Sequence, residues 1–159
     1  MAFDVDAKLG AMGLALPEPP KPIASYVPAA RVETGSGSLI FVSGQLPLVE
    51  GELAAAGSVP SEVSVEQAQD AARRCLLNAL AVVKAELRGD WSALRRIVRL
   101  GVFVRSEDDF TGQSGVANGA SDMLVELFGE AGRHARAAVG VNALPLGATV
   151  EVELVVESG

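Results

Sequence analysis

The spacing of apolar and polar positions changes along the chain, and each change predicts a different element. Apolar runs at 24–33 and 38–44 flank the stretch "TGSGS". They predict a β-hairpin in which Gly35 and Gly37 supply turn conformations. The run "IVRLGVFVRS" at 97–106 predicts a further strand.

Helical spacing occurs in two segments. Ser64 and Gln67 have the spacing of a capping box, which predicts the start of a helix, and Gly89 predicts its end. The segment 116–132 predicts a second helix. One apolar stripe follows the first helix: Ala68, Ala72, Cys75, Leu76, Ala79, Leu80, Val83 and Leu87. The second helix has a corresponding apolar side: Val116, Ala120, Met123, Leu124, Leu127 and Phe128.

The N-terminal part has its own pattern. Residues 3–15 predict a short amphipathic helix, and "PEPPKP" at 17–22 ends it because proline cannot continue a helix. We therefore divide the chain into an extension, 1–22, and a domain, 23–159. Within the domain, glycine and proline interrupt 44–60, which predicts a connection with a short strand pair around Glu50-Gly51.

The stretch "GRHARAAVGVNALPLGATVEVEL" at 132–154 predicts two strands joined as a terminal hairpin. In the second strand, one face is regularly apolar, with Val150, Val152, Leu154 and Val156. The predicted order is β-β-α-β-α-β-β. Two helices on one face of a mostly antiparallel sheet form a two-layer α+β sandwich.

Arg136 and Glu151 lie inside those last two strands. In a hairpin with its turn at 144–147, both side chains share one sheet face, about 13 Å apart along the backbone. The gap would hold a small molecule over a floor of Ala138 and Gly140, with a carboxylate on the arginine and a water on the glutamate. The small floor residues also predict a second copy of the chain over this face. Spacing alone favours a structural alternative, in which Arg136 pairs with an acid of a neighbouring subunit.

Composition narrows the classes of function. The 159 residues predict one domain, and 13 Lys and Arg against 20 Asp and Glu give a net charge of −7, which argues against nucleic acid as a partner. With one cysteine, Cys75, and one histidine, no internal disulfide or Cys/His zinc cluster can form. We predict no metal, and Cys75 is interpreted as a buried apolar residue. Asp4 and Asp6 argue against a signal peptide or membrane span, so we predict a cytoplasmic protein.

Four segments together resemble the RidA family, the reactive intermediate deaminases A, whose members are also labelled YjgF-type or L-PSP endoribonuclease. They are "FVSGQLP" (41–47), 66–83, 98–110 and 134–154, and the resemblance covers about residues 23 to 157. It implies a chorismate-mutase-like fold and a homotrimer with three pockets between subunits. The best understood members hydrolyse 2-imino acids to 2-oxo acids and ammonia without a cofactor, so none is expected here.

The resemblance also implies roles for particular residues. Arg136 matches the arginine that holds the substrate carboxylate, Glu151 the glutamate near the attacking water, and Tyr26 the tyrosine at the pocket mouth. Three further residues match substrate-binding positions: Ser43, Gly44 and Asn118.

The segment 116–136 and the extension before Tyr26 resemble a divergent branch of the family, and two residues depart from the usual pattern. His134 stands where a proline usually precedes Ala-Arg, and is interpreted as a capped histidine at the strand end, with a role at the pocket rim left open. Ala138 stands where a cysteine often follows the arginine by two positions, and we expect it to line the pocket.

Three functions follow as hypotheses. The first is a deaminase for small 2-imino or enamine acids, in which Arg136 holds the carboxylate, Glu151 positions water, and Tyr26 closes the pocket from a neighbouring chain. The second is a non-catalytic module that binds small carboxylates such as 2-oxo acids, which needs Arg136 but not Glu151. The third is a ribonuclease, against which the acidic charge and the lack of a histidine pair argue.

Overall fold

The computed structural model describes residues 3–21 and 25–159. It confirms a two-layer α+β sandwich with a five-stranded sheet of order β1-β2-β7-β5-β6. In chain order the elements are α1 (Val5–Ala11), β1 (Ala29–Thr34), β2 (Gly37–Gln45), β3 (Leu48–Val49), β4 (Glu52–Leu53), α2 (Val65–Glu86), β5 (Leu94–Arg105), α3 (Gln113–Phe128), β6 (Ala135–Val141) and β7 (Val150–Ser158). Helices α2 and α3 pack against one face of the sheet and against each other, and the hydrophobic core lies between the layers.

The predicted capping box at the start of α2 is confirmed. The backbone N–H of Gln67 donates to Ser64 Oγ at 3.1 Å, and the N–H of Ser64 donates to Gln67 Oε1 at 2.9 Å. The whole predicted stripe is buried, Cys75 included. The buried surface is wider than the stripe because neighbouring segments cover the helix. Asn78, for example, is buried and donates to the carbonyls of Leu46 at 2.9 Å and Leu48 at 3.1 Å.

The N-terminal helix is confirmed, and it belongs to the same core as the rest of the chain. Val5 and Leu9 are fully buried. Lys8 Nζ donates to the carbonyl of Leu127 at 2.8 Å, at the end of α3, where helix carbonyls lack intrahelical partners. Asp6 pairs with Lys84 of α2 at 2.8 Å. The predicted boundary of the extension, at residues 22 and 23, lies outside the described residues and stays a prediction.

The first hairpin is confirmed, with β1 starting at Ala29; Ala24, where its first strand was predicted to start, lies outside the described residues. Gly35 lies in the turn as predicted, whereas Gly37 is already the first residue of β2, and neither glycine has a positive φ. Gly37 is small for another reason, since a Cβ there would lie 2.2 Å from the carbonyl oxygen of Ser158. The strand pair β3–β4 is confirmed around Glu50 and Gly51, whose φ values are 52° and 88°.

The predicted terminal hairpin is wrong, because β6 and β7 do not pair. Strand β6 pairs in parallel with β5, and β7 lies antiparallel between β5 and β2. Leu100 of β5 has Arg136 on one side and Leu154 on the other. A parallel neighbour needs a long crossover, which α3 supplies between β5 and β6. The short connection after β6 therefore passes over the end of β5 to reach β7.

This topology also overturns the prediction that Arg136 and Glu151 share a face. Paired residues point to the same side of a sheet. Arg136 pairs with the buried Leu100 and so faces the helices, whereas Glu151 pairs with Phe103 and faces the other side. Ala138 and Gly140 face the helices too. A Cβ on Gly140 would lie 2.7 Å from Ser106 Oγ, so packing of the neighbouring elements explains this small residue without a second copy of the chain.

The opposite face of the sheet, which we call the open face, has no helix over it in the part of the chain that the structure describes. Its large exposed apolar side chains include Val32 at 51%, Phe41 at 44% and Val139 at 45% exposure. Separately, none of the described helices is both long enough and apolar enough to cross a membrane.

Candidate functional site

The predicted site residues form two groups on opposite faces of the sheet. The first group, at the sheet edge, consists of Arg136, Asn118 and Ala138, with Arg136 and Ala138 on β6 and Asn118 on α3. The second group lies on the open face and consists of Glu151, Gly44 and Ser43, while Tyr26 lies in the segment before β1.

In the first group, α3 holds the guanidinium of Arg136. Its Nη1 donates to Asn118 Oδ1 at 2.8 Å and to Ser121 Oγ at 3.0 Å. Residues three apart lie next to each other on one face of a helix, so both oxygens reach the same nitrogen. The structure thus brings together two predicted residues, Arg136 and Asn118. Ser121 was missed, although its spacing from Asn118 could have indicated it.

The rest of the Arg136 guanidinium is available. Arginine has five N–H donors, and the two on Nη1 are engaged. Within residues 3–21 and 25–159, Nε and Nη2 have no hydrogen-bond partner, and no carboxylate lies within 4.0 Å. The side chain is exposed. Arg136 therefore presents a charged Nε/Nη2 edge, which matches the two oxygens of a carboxylate.

The residue before β6 extends this contact network. His134 Nε2 lies 2.9 Å from Ser121 Oγ, and His134 Nδ1 lies 2.6 Å from the carbonyl oxygen of Gly132. Hydrogen bonds thus connect Arg136, Ser121 and His134. Of these three residues, the arginine carries a permanent positive charge.

In the second group, Gly44 makes room for the carboxylate of Glu151. A Cβ on Gly44 would lie 2.0 Å from Glu151 Oε1, so any other residue there would displace the carboxylate. The register of β2 against β7 shifts between Val42 and Gln45, which is a β-bulge around Ser43 and Gly44. Bulges redirect side chains and are frequent next to active sites.

The carboxyl of Glu151 holds its proton more tightly than an ordinary glutamate. Burial raises its pKa, and the negative charge of Glu153 on the same face raises it further. Glu153 is itself paired with Arg99 at 2.6 Å. A half-buried carboxylate with a raised pKa is suited to take a proton from water.

Ser43 connects this group to Tyr26. Its Oγ donates to the carbonyl of Val27 at 2.6 Å, and its backbone N–H donates to the carbonyl of Pro28 at 2.9 Å. The hydroxyl proton is therefore committed to the backbone next to Tyr26. Ser43 holds the segment that carries Tyr26, whose side chain is 51% exposed.

Among the described residues, no three His, Cys, Asp or Glu side chains lie close enough to hold a metal ion.

Comparison with known proteins assigns the family. The family model described as "YjgF/chorismate_mutase-like, putative endoribonuclease" matches residues 6–158. The chain belongs to the YjgF family. This is the RidA family that the sequence motifs resemble, and the chorismate-mutase-like fold is confirmed with it.

Individual proteins are similar to this one over nearly the whole chain. Protein TCP17 of Trypanosoma cruzi is 44% identical over 154 residues, which are 96% of this chain and 93% of that protein. The crystal structure of Atu1372 from Agrobacterium tumefaciens is 43% identical, with a TM-score of 0.88 over 98% of this chain and 94% of that one. A 2-iminobutanoate/2-iminopropanoate deaminase of Dermatophagoides farinae is 27% identical over 143 residues, 90% of this chain and 93% of that protein.

Proposed function

We propose that this protein hydrolyses small 2-imino or enamine acids to 2-oxo acids and ammonia, in pockets formed between copies of the chain. The observation that carries the proposal is the guanidinium of Arg136. Neutral groups hold it on one side, and its Nε/Nη2 edge has no acidic partner among the described residues. Such an edge fits a substrate carboxylate. The similarity to a 2-iminobutanoate/2-iminopropanoate deaminase supports the same reaction.

The separation of the two groups supports a pocket between subunits. Arg136 and Glu151 lie on opposite faces of one sheet, so a small molecule cannot contact both within one chain. They can meet only if the sheet edge of one copy approaches the open face of another. The exposed Phe41 and Val139 on that face favour such a contact. In a closed homotrimer, every copy would contribute both groups, which gives three equal pockets.

The proposed reaction needs only these side chains and water. Arg136 binds the carboxylate of the protonated imine, and Glu151 of a neighbouring copy takes a proton from a water molecule while the water oxygen bonds to the imine carbon. Glu151 then returns this proton to the amino nitrogen, the C–N bond breaks, and ammonia leaves. The hydroxyl group loses its proton to solvent as it becomes the carbonyl of the 2-oxo acid. Tyr26 closes the pocket. Imines hydrolyse unaided in water, so positioning and electrostatic stabilisation provide sufficient acceleration.

A second candidate is a module that binds small 2-oxo acids without turnover. The contacts of Arg136 with Asn118 and Ser121 favour it, because this group is complete without Glu151. A ribonuclease, which the family description includes, is disfavoured by the net charge of −7, since it would repel a phosphate backbone.

A coupled assay tests the proposal. An amino-acid oxidase or threonine dehydratase generates the imine, and semicarbazide traps whatever the protein does not hydrolyse. We expect less semicarbazone with the wild-type protein, and a return to the uncatalysed level with Glu151→Gln, which should still bind 2-oxobutyrate in calorimetry. Glu157→Gln, on the same face of β7, is the matched control and should keep full activity.

Hydrolysis that continues unchanged in Glu151→Gln would exclude Glu151 as the group that activates water. Binding of 2-oxobutyrate by a wild-type protein that never accelerates hydrolysis would select the binding module instead.

A further inference from the structure

We propose that His134 is a positioning residue for Arg136, acting through the hydroxyl of Ser121. This inference rests on the proposed function for what Arg136 binds, but the hydrogen bonds that carry it belong to the chain alone. They run from the turn after α3, through the imidazole and the hydroxyl, to the guanidinium.

The direction of each hydrogen bond follows from chemistry. A carbonyl oxygen only accepts, so His134 Nδ1, 2.6 Å from the oxygen of Gly132, must carry a proton and donate. In the neutral ring Nε2 is then the acceptor, and Ser121 Oγ, 2.9 Å away, donates to it. The lone pairs of Ser121 Oγ are left for Arg136 Nη1 at 3.0 Å. Each bond in such a chain polarises the next and strengthens it.

The anchor of this chain of hydrogen bonds is rigid. Gly132 is buried against α3, where a Cβ would lie 2.1 Å from the carbonyl oxygen of Leu124. Its own carbonyl is therefore fixed relative to the helix that carries Ser121. A serine hydroxyl without a fixed acceptor can instead turn toward the carbonyl one helical turn earlier. His134 gives Ser121 a defined acceptor, which holds its lone pairs toward Arg136.

The use of neutral partners has a consequence for binding. An aspartate or glutamate in place of Ser121 would also fix the guanidinium, but it would neutralise the charge. Ser121 and Asn118, with His134 behind Ser121, orient Arg136 while its positive charge stays available to a ligand carboxylate. In this branch of the family, His134 therefore helps to orient Arg136 through Ser121.

His134 is the single histidine of the chain, so every imidazole signal in an NMR spectrum belongs to it and reports its tautomer. We expect ¹⁵N NMR of the uniformly labelled protein to show the tautomer protonated at Nδ1. We also expect Ser121→Ala to move the Nε2 signal. A ring protonated at Nε2 instead would overturn the inference, whatever the protein hydrolyses.

Affinity provides the second measurement. Calorimetry with 2-oxobutyrate should show about fivefold weaker binding in His134→Leu, which removes a hydrogen bond of about 1 kcal/mol. His134→Gln should bind nearly as the wild type, because its amide oxygen can accept from Ser121. Arg133→Ala is the control, since Arg133 is exposed and pairs only with Glu130 among the described residues.

Equal affinity in His134→Leu and the wild type would overturn the inference while leaving the proposed function intact. Should His134→Leu fail to fold, Ser121→Ala interrupts the same chain of hydrogen bonds and is expected to weaken binding by a similar factor. If the wild type binds no 2-oxo acid, the proposed function fails. The tautomer measured by NMR then tests separately whether His134 positions Arg136.

Discussion

At the scale of single residues, Arg136 and Glu151 of the candidate site have opposite electrostatic environments. Arg136 is held by neutral oxygens and keeps its full charge for a ligand. Glu151 is partly removed from water beside Glu153, which raises its pKa and its readiness to accept a proton. One group is thus suited to binding an anion and the other to proton transfer.

Replacing Arg136 with Lys tests the binding role. Lysine keeps the positive charge but loses the Nε/Nη2 edge, so at least one charge-assisted hydrogen bond of about 1.5–3 kcal/mol is lost. We expect affinity for pyruvate or 2-oxobutyrate to fall about tenfold or more in calorimetry. The fold should be kept, since Arg136 is exposed. Equal affinities, or equally tight binding of uncharged analogues, would mean that Arg136 is structural.

Replacing Glu153 with Gln tests the raised pKa of Glu151. Glu153 is the second cause of that rise, so its removal should lower the pKa of Glu151. Activity that needs the ionised form appears as pH rises through this pKa. The acid limb of the kcat/KM profile should therefore move to lower pH in the variant. A limb that stays in place would show that Glu151 does not govern it.

The sequence could select Arg136, Glu151 and Asn118 as candidates, because motif and spacing mark them, and the structure shows Arg136 in contact with Asn118. It could not identify the face on which each side chain lies. Alternation in β6 places Arg136, Ala138 and Gly140 on one face and Ala137 and Val139 on the other. Apart from Arg136, the residues of both faces are small or apolar, so neither face is marked as the buried one. Which set faces the helices depends on the pairing with β5, a contact made far along the chain.

At the scale of elements, local patterns with a strong signal predicted the helices well. The capping box of α2 and the apolar sides of α2 and α3 depend on residues near each other in sequence, and both are observed. The predicted pairing of β6 with β7 was wrong. A short connection can also join two strands that have a third strand between them, and here β5 lies between β6 and β7.

Helix α1 is expected to stabilise the whole domain despite its seven residues. Leu9 is fully buried on its inner side, and Lys8 binds the end of α3. Leu9→Ala should lower the free energy of unfolding by about 2–5 kcal/mol in urea titrations, the usual cost of such a cavity. Leu146→Ala is the control, since Leu146 is 70% exposed, and it should change stability by less than about 0.5 kcal/mol. A Leu9 variant as stable as the control would show that α1 is dispensable.

At the scale of the whole molecule, the sheet is covered on only one side. Val32, Phe41 and Val139 leave apolar surface on the open face, and the two halves of the proposed site cannot meet within one chain. Both observations favour assembly with further copies. The small residues of β6, from which a covered face was first predicted, instead face elements of the same chain: Ala138 packs against the core, and a Cβ on Gly140 would meet Ser106 and Gln113.

We expect the protein to be a trimer in sedimentation and light scattering at micromolar concentration. Val139→Lys should shift it toward monomer, because burying an unpaired ammonium is costly, and should reduce imine hydrolysis in parallel. Val125→Lys, on the exposed side of α3, should leave the trimer unchanged. A wild-type monomer with full activity would contradict the shared pocket.

The place of β7 in the sheet also has a consequence for how the chain is made. Strands β1 and β2 form one half of the sheet and β5 and β6 the other, and β7 alone joins the two halves. Since β7 follows all the other strands in sequence, it is the last of them to leave the ribosome. Until then β2 and β5 each expose an unpaired edge that can pair with other chains. We therefore expect the nascent protein to be most prone to aggregation just before β7 leaves the ribosome, because only this strand pairs with both edges.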